Sequence, residues 1–121
     1  MALTVLVVDD NPRFRTAAAE LLTALGFEVL ATAADASEAL AAAVRTCPDG
    51  VLLDINLPGT DGFVVAASLT GVCPSAKIVL TSANVAYVPA ELLRRCTAAA
   101  FVSKEELAAA DLRRLFRPGG T

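Results

Sequence analysis

The chain has 121 residues, 55% of them hydrophobic and 5% aromatic, with a net charge of −3 and a sequence pI of about 4.8. That length suits one domain with a core of its own, and an acidic balance with no Lys/Arg cluster longer than a pair leaves no electrostatic footprint for nucleic acid. The opening "MALTVLVVDD" has no basic stretch before its short apolar run, and no segment approaches a membrane span, so a cytoplasmic protein with no membrane contact is expected.

The first strand is read from "LTVLVV" (3–8), a β-branched run that stops at Asp9-Asp10. Helical spacing of Phe14, Ala17, Ala18, Leu21, Leu22 and Leu25 predicts a helix over 12–25, with Asn11 as N-cap, Pro12 in its first turn and Gly26 at its end. "FEVLATA" (27–33) is the second strand, and Asp35 with Glu38 three residues on signals a capped helix over 35–46. "GVLLDI" (50–55) is the third strand. A Pro-Gly break and a helix over 61–71 follow it. "AKIVLTS" (76–82) and "AAAFVS" (98–103) are the remaining strands, with a short helix over 89–96 between them and a last helix over 104–116.

Strands starting near residues 3, 27, 50, 76 and 98 leave room for one helix between each pair. That spacing favours a parallel sheet with helices on both faces, and the near-continuous apolar strands agree. Cys47, Cys73 and Cys96 are odd in number, widely spaced and without histidine, so three reduced thiols are expected rather than a disulfide framework or a zinc site.

In such a sheet, ligands bind at the carboxyl ends of the strands. Those ends carry Asp9-Asp10, Asp54 and Thr81-Ser82, and strand five leads into Lys104. Asp54 is the residue hardest to explain as structure, because it closes the most buried-looking strand. Three neighbouring carboxylates repel one another unless a cation sits among them, and Mg²⁺ with its oxygen preference suits the set. A cation on one side of an aspartate and a lysine on the other is the arrangement that phosphoryl transfer to a carboxylate requires.

"VLVVDDNPRFR", "DGVLLDINLPGTDGF", "KIVLTSA" and "AAFVSKEEL", in this order, identify the chain as resembling the response-regulator receiver domain of bacterial two-component signalling. The resemblance runs essentially end to end. It implies a flavodoxin-like, doubly wound (βα)5 domain over residues 1–117 with strand order 2-1-3-4-5, and a tail or linker start over 118–121. It implies Asp54 as phosphoacceptor from a sensor histidine kinase. Mg²⁺ would be held by Asp10, Asp54 and the Asn56 backbone carbonyl, with Asp9 acting through water. Lys104 would pair with the phosphoryl oxygens, Thr81 would move to them, and Phe101 would be the aromatic that swings inward. The implied output is a changed surface of helix four, strand five and helix five, controlling an output domain or partner protein. A homodimer through helices four and five is an arrangement that surface allows.

The chain is therefore expected to be no enzyme beyond its own phosphorylation and dephosphorylation. Asn56 and Ala83 stand where the family tunes the lifetime of the phosphoryl bond, and Ala83 has no group to orient water, so slow hydrolysis is expected. Two departures from the family stand out: Phe101 lacks a tyrosine hydroxyl, and Lys104 precedes Glu105 where many members have a proline after a cis bond. A cis bond without proline costs about 3 kcal/mol, so a trans bond that repositions Lys104 is expected. A pseudo-receiver that binds partners without phosphorylation is the alternative. An aspartate-nucleophile phosphatase is disfavoured because Asn56, not a second aspartate, follows Asp54, and a flavin binder because "DDNPRF" is acidic. Beyond "RPGGT" two arrangements stay open, a single-domain regulator acting by contact and a receiver joined to an output domain, and the likeness of "FVSKEEL" to receivers with helix-turn-helix output favours the second.

Overall fold

The computed structural model describes residues 2–117. Five parallel strands, β1 (Thr4–Val8), β2 (Glu28–Ala33), β3 (Gly50–Asp54), β4 (Lys77–Ser82) and β5 (Ala100–Ser103), form one sheet in the order β2-β1-β3-β4-β5. The helices between them are α1 (Pro12–Ala24), α2 (Ala36–Thr46), α3 (Gly62–Val72) and the short α4 (Ala90–Arg95). This is the flavodoxin-like topology expected, with strand order reversing between β1 and β3. No helix among the described residues is long and apolar enough to cross a membrane.

Local signals in the sequence act as read. The Asn11 side chain accepts from the Arg13 and Phe14 N–H groups, and Pro12 opens α1. Gly26, at φ 99°, turns the chain out of that helix. Asp35 caps α2 by accepting from Glu38 N–H, while the Glu38 carboxylate reaches back to Ala34 N–H. Within α1 the buried residues are Ala18 and Leu22; Ala17, placed on the apolar face by its spacing, is exposed.

Alternate residues of each central strand face opposite sides, which makes two cores. Leu6, Val8, Val51, Leu53, Ile78 and Leu80 pack under α2 and α3, and Val5, Val7, Leu52 and Val79 pack under α1 and the C-terminal segment. β3 is buried at every position, including Asp54.

Two expectations are corrected. The predicted last helix, 104–116, is instead a 3-10 helix (Lys104–Ala109) and a separate one-turn α5 (Leu112–Leu115). Ala110, at φ −75° and ψ 150°, is extended and breaks the run, and Asp111 caps the second turn through Arg114 N–H. Leu107 and Leu112 are five residues apart and would point to different sides of one continuous helix. The break lets both join Phe116 in the same core.

The second correction concerns the thiols. Cys47 and Cys73 form a disulfide, and only Cys96 is free and buried. Cys47 closes α2 and Cys73 closes α3. Packing of those helices brings their Cα atoms to 5.8 Å across 26 residues of sequence, which wide spacing alone does not reveal.

Candidate functional site

The carboxyl ends of β1, β3, β4 and β5 bring the predicted residues to one place. Asp9 follows β1 and is fully buried, its Oδ1 accepting from Asn11 N–H at 2.8 Å. Arg15 of α1 donates to the Asp9 carbonyl at 2.8 Å. Asp10, next in the chain, is exposed, yet one carboxylate oxygen from each of Asp9, Asp10 and Asp54 lies within 4.8 Å of the other two. Asp54 ends β3 and is 4% exposed, so its charge sits at the rim of the sheet rather than in solvent.

Lys104 supplies the opposing charge. Its Nζ lies 2.8 Å from Asp9 Oδ2 and 3.3 Å from Asp54 Oδ2. The described residues contain no cis peptide bond, and the amine still reaches both carboxylates from the first position of the 3-10 helix. Below the amine lies the Phe14 ring, its centroid 4.1 Å away, close enough for a cation–π contact. In the sequence, the spacing of Phe14 marks it only as a packing residue of α1. Its place under Lys104 depends on how α1 meets the end of β5, for which the sequence carries no signal.

Asn56 sits in the loop after the acceptor strand. Its N–H donates to Asp54 Oδ1 at 2.8 Å and its side-chain amide to Ser82 Oγ at 2.7 Å. Ser82 Oγ also accepts from the N–H groups of Asn84 and Val85, so it ties the loops after β3 and β4 together. The sequence marks Asn56 as a site residue. The clamp that Ser82 makes on it carries no such signal, since a turn serine usually bonds only locally.

Thr81 is paired in register with Asp54 across β3 and β4, and it is fully buried. Its Oγ1 and Asp9 Oδ2 are buried side-chain oxygens without a hydrogen bond; Lys104 meets the latter as an ion pair. Phe101 of β5 is half-buried against the α2–α3 side of the sheet. It also lines a shallow groove of about 300 Å³ with Val102, Glu106, Ala109 and Ala110. Ala83 is exposed beside Ser82.

Burial pushes the Asp9 carboxyl above its usual 3.8; the Lys104 ammonium and the Asn11 N–H oppose that rise, while the Asp54 charge adds to it. Burial also opposes the charge on Lys104, but its 2.8 Å contact with Asp9 and the charges of Asp54 and Asp9 outweigh it and hold the amine above 10.5. Lys104 thus contributes stability that is complete below pH 10.5 and is lost as pH rises through its raised value. Asp9 acts in the opposite sense. The folded chain binds its proton more tightly than the unfolded chain, so ionising it costs stability as pH rises above 3.8 through the raised value. In metal-free buffer, Asp9→Asn is therefore expected to gain on the wild-type chain across that window. Urea unfolding at stepped pH reads the difference, and a constant difference would count against a strained Asp9 carboxylate.

The family model of the response regulator receiver domain matches residues 5–117. The chain belongs to the response regulator receiver family. This receiver domain is 40% identical over 80 residues to the transcriptional regulatory protein PrrA of Mycobacterium tuberculosis, a match covering 66% of this chain and 34% of that protein. A two-component response regulator of the LuxR family from Aurantimonas sp. SI85-9A1 superposes with a TM-score of 0.84 at 27% identity, over 94% of this chain and 82% of that one. A response regulator protein from Burkholderia pseudomallei, solved with a phosphorylated aspartic acid, a calcium ion and citrate, superposes with a TM-score of 0.82 at 25% identity. That match covers 93% of this chain and 66% of that one. Among the first curated relatives, the matched region makes up from 23% to 49% of the relative's length. The receiver domain is a signalling domain, and its relatives include transcriptional regulators.

Proposed function

We propose that this receiver domain is a phosphorylation switch in which Asp54 takes a phosphoryl group from the phosphohistidine of a sensor kinase. The observation that carries the reading is the buried Asp54 carboxylate, with the Lys104 amine 3.3 Å from its Oδ2 and two further carboxylates beside it. An Asp54 oxygen forms the new bond to phosphorus as the nitrogen–phosphorus bond of the donor breaks, and Lys104 neutralises charge on the transferred group.

The donor set also suits a divalent cation. Three convergent carboxylates that share one ammonium are hard oxygen ligands in an acidic pocket with negative charge left to offset. Asp10, Asp54 and the Asn56 carbonyl would hold Mg²⁺, with Asp9 acting through water. When bound, the ion offsets the negative charge that builds on the phosphoryl oxygens. The phosphorylated aspartate and calcium ion of the Burkholderia pseudomallei structure support both halves of the reading.

Thr81 is the reporter of the reaction. Its hydroxyl is buried without a partner next to the acceptor, and a phosphoryl oxygen would supply one. Its movement frees space for Phe101 to bury and so repacks the α4–β5–α5 face, which an output domain or a partner regulator reads. Thr81→Val removes a hydroxyl that costs desolvation and gains nothing in the unphosphorylated chain. The variant is therefore expected to be about 1 kcal/mol more stable before phosphorylation and to gain little further on phosphorylation. Denaturant midpoints of both forms measure this; a less stable unphosphorylated variant would show that Thr81 has a partner in solution. The side-chain amide of Asn56 is engaged by Ser82, and Ala83 offers no polar group, so neither orients a water for attack on phospho-Asp54. The phospho-form should accordingly outlive a timescale of seconds.

The deciding experiment incubates the chain with acetyl phosphate and Mg²⁺ and weighs it. One added phosphoryl group, absent in EDTA, supports the switch. A folded chain that takes none points to the phosphorylation-independent binding module.

A further inference from the structure

We propose that Cys47 and Cys73 are a reversible oxidation site, a second covalent input to this domain that is independent of Asp54. The two residues end neighbouring helices with their Cα atoms 5.8 Å apart, within the range a disulfide spans. Their surroundings differ in the way a switch requires. Cys47 is exposed, whereas Cys73 is 1% exposed and packed in the α2–α3 core, so Cys47 is the member of the pair on the solvent side.

The contact between α2 and α3 does not rest on the bond alone. Ala39, Ala42 and Ala43 of α2 already share a closed core with Val65, Ala66 and Leu69 of α3, and a domain of 121 residues is large enough to fold without a staple. A bridge that folding can spare is free to open and close. It lies at the starts of β3 and β4, the opposite edge of the sheet from Asp54. At its other end, α3 begins directly behind the acceptor loop, where Gly62 is packed on the Ile55 backbone. The bond therefore holds the far end of a helix whose first turn is packed on the acceptor loop.

A hydroperoxide is the class of oxidant that fits. The Cys47 thiolate attacks the terminal peroxide oxygen and becomes a sulfenic acid as the O–O bond breaks, releasing alkoxide, or hydroxide when the oxidant is hydrogen peroxide. The Cys73 sulfur then attacks the Cys47 sulfur, its S–H bond and the S–O bond break, and the disulfide forms with loss of water. A dithiol reductant reverses this with two electrons. One of its thiolates attacks Cys47, Cys73 leaves and takes a proton, and the second thiol displaces Cys47 as the reductant closes its own disulfide.

The test equilibrates the whole chain in glutathione mixtures from reducing to oxidising, and separately with hydrogen peroxide. Quenching in acid, unfolding and alkylating with N-ethylmaleimide then lets mass count the open thiols. The expected result is one label in the oxidised chain, from Cys96, and three in the reduced chain, with both forms present within the glutathione range. Cys96→Ser should keep the bridge and Cys47→Ser, at an exposed position, should lose it. The reduced form should melt roughly 10 °C lower, with faster amide exchange in the last turns of α2 and α3. Three labels under every condition would show that the pair does not bond. One label in the most reducing mixture would show a permanent structural bridge. Either result overturns the proposal, and neither depends on whether Asp54 accepts phosphate.

Discussion

Asp54→Asn is expected to take up no phosphoryl group from acetyl phosphate and, in metal-free buffer, to be more stable than the wild-type chain. The first half follows from chemistry: an amide is no nucleophile for this reaction, and Asp9, the other buried carboxylate, is engaged by Asn11 and Lys104. The second half follows from charge. Three carboxylates with oxygens within 4.8 Å of one another share the single ammonium of Lys104, and the Asp54 charge helps to push the Asp9 carboxyl up. Removing one negative charge relieves that repulsion while Lys104 keeps Asp9 at 2.8 Å. A gain of about 1 kcal/mol is the expected scale. With saturating Mg²⁺ the order should reverse, because binding to the folded wild-type chain adds stability that the variant's weakened ligand set does not match. Urea unfolding with and without Mg²⁺ measures both terms. A variant less stable in EDTA would mean that the Lys104–Asp54 pair outweighs the repulsion.

Alanine at Gly62 is expected to cost about 3 kcal/mol or more. A Cβ built there meets the Ile55 Cα and lies 2.6 Å from the Ile55 carbonyl oxygen, atoms of the backbone next to the acceptor. Neither can rotate aside, so α3 would lift off or the loop carrying Asn56 would shift. Labelling of Asp54 should therefore slow along with the loss of stability. Gly71, in the same helix, makes the control. Nothing lies within 4 Å of its missing Cβ, so Gly71→Ala should stabilise by about 0.5–1 kcal/mol from helix propensity alone. Opposite signs for one substitution at two positions of one helix would separate close approach from propensity. Equal effects would contradict the packing of Gly62 on Ile55.

Much of this molecule is legible before any coordinates. Five apolar runs at even spacing, separated by helix-length segments, specify a parallel α/β sheet because each run must be covered on both sides. The Asn11, Asp35 and Gly26 signals work over three or four residues, and the structure places the caps where they predict. The convergence of Asp9, Asp10, Asp54, Thr81 and Lys104 was equally readable, since all carboxyl ends of parallel strands lie on one edge.

What the tertiary structure alone decided lies in contacts between elements distant in sequence. Composition favours a helix over 104–116, yet Leu107 and Leu112 reach one core only if the backbone breaks at Ala110. Phe14 beneath Lys104, Ser82 clamping Asn56 and Cys47 bonded to Cys73 each join residues from 26 to 90 positions apart. Periodicity and capping report forces within a few residues of each other. Which side chains meet across the sheet edge or between two helix ends depends on how whole elements pack, and that is settled only when the chain is folded.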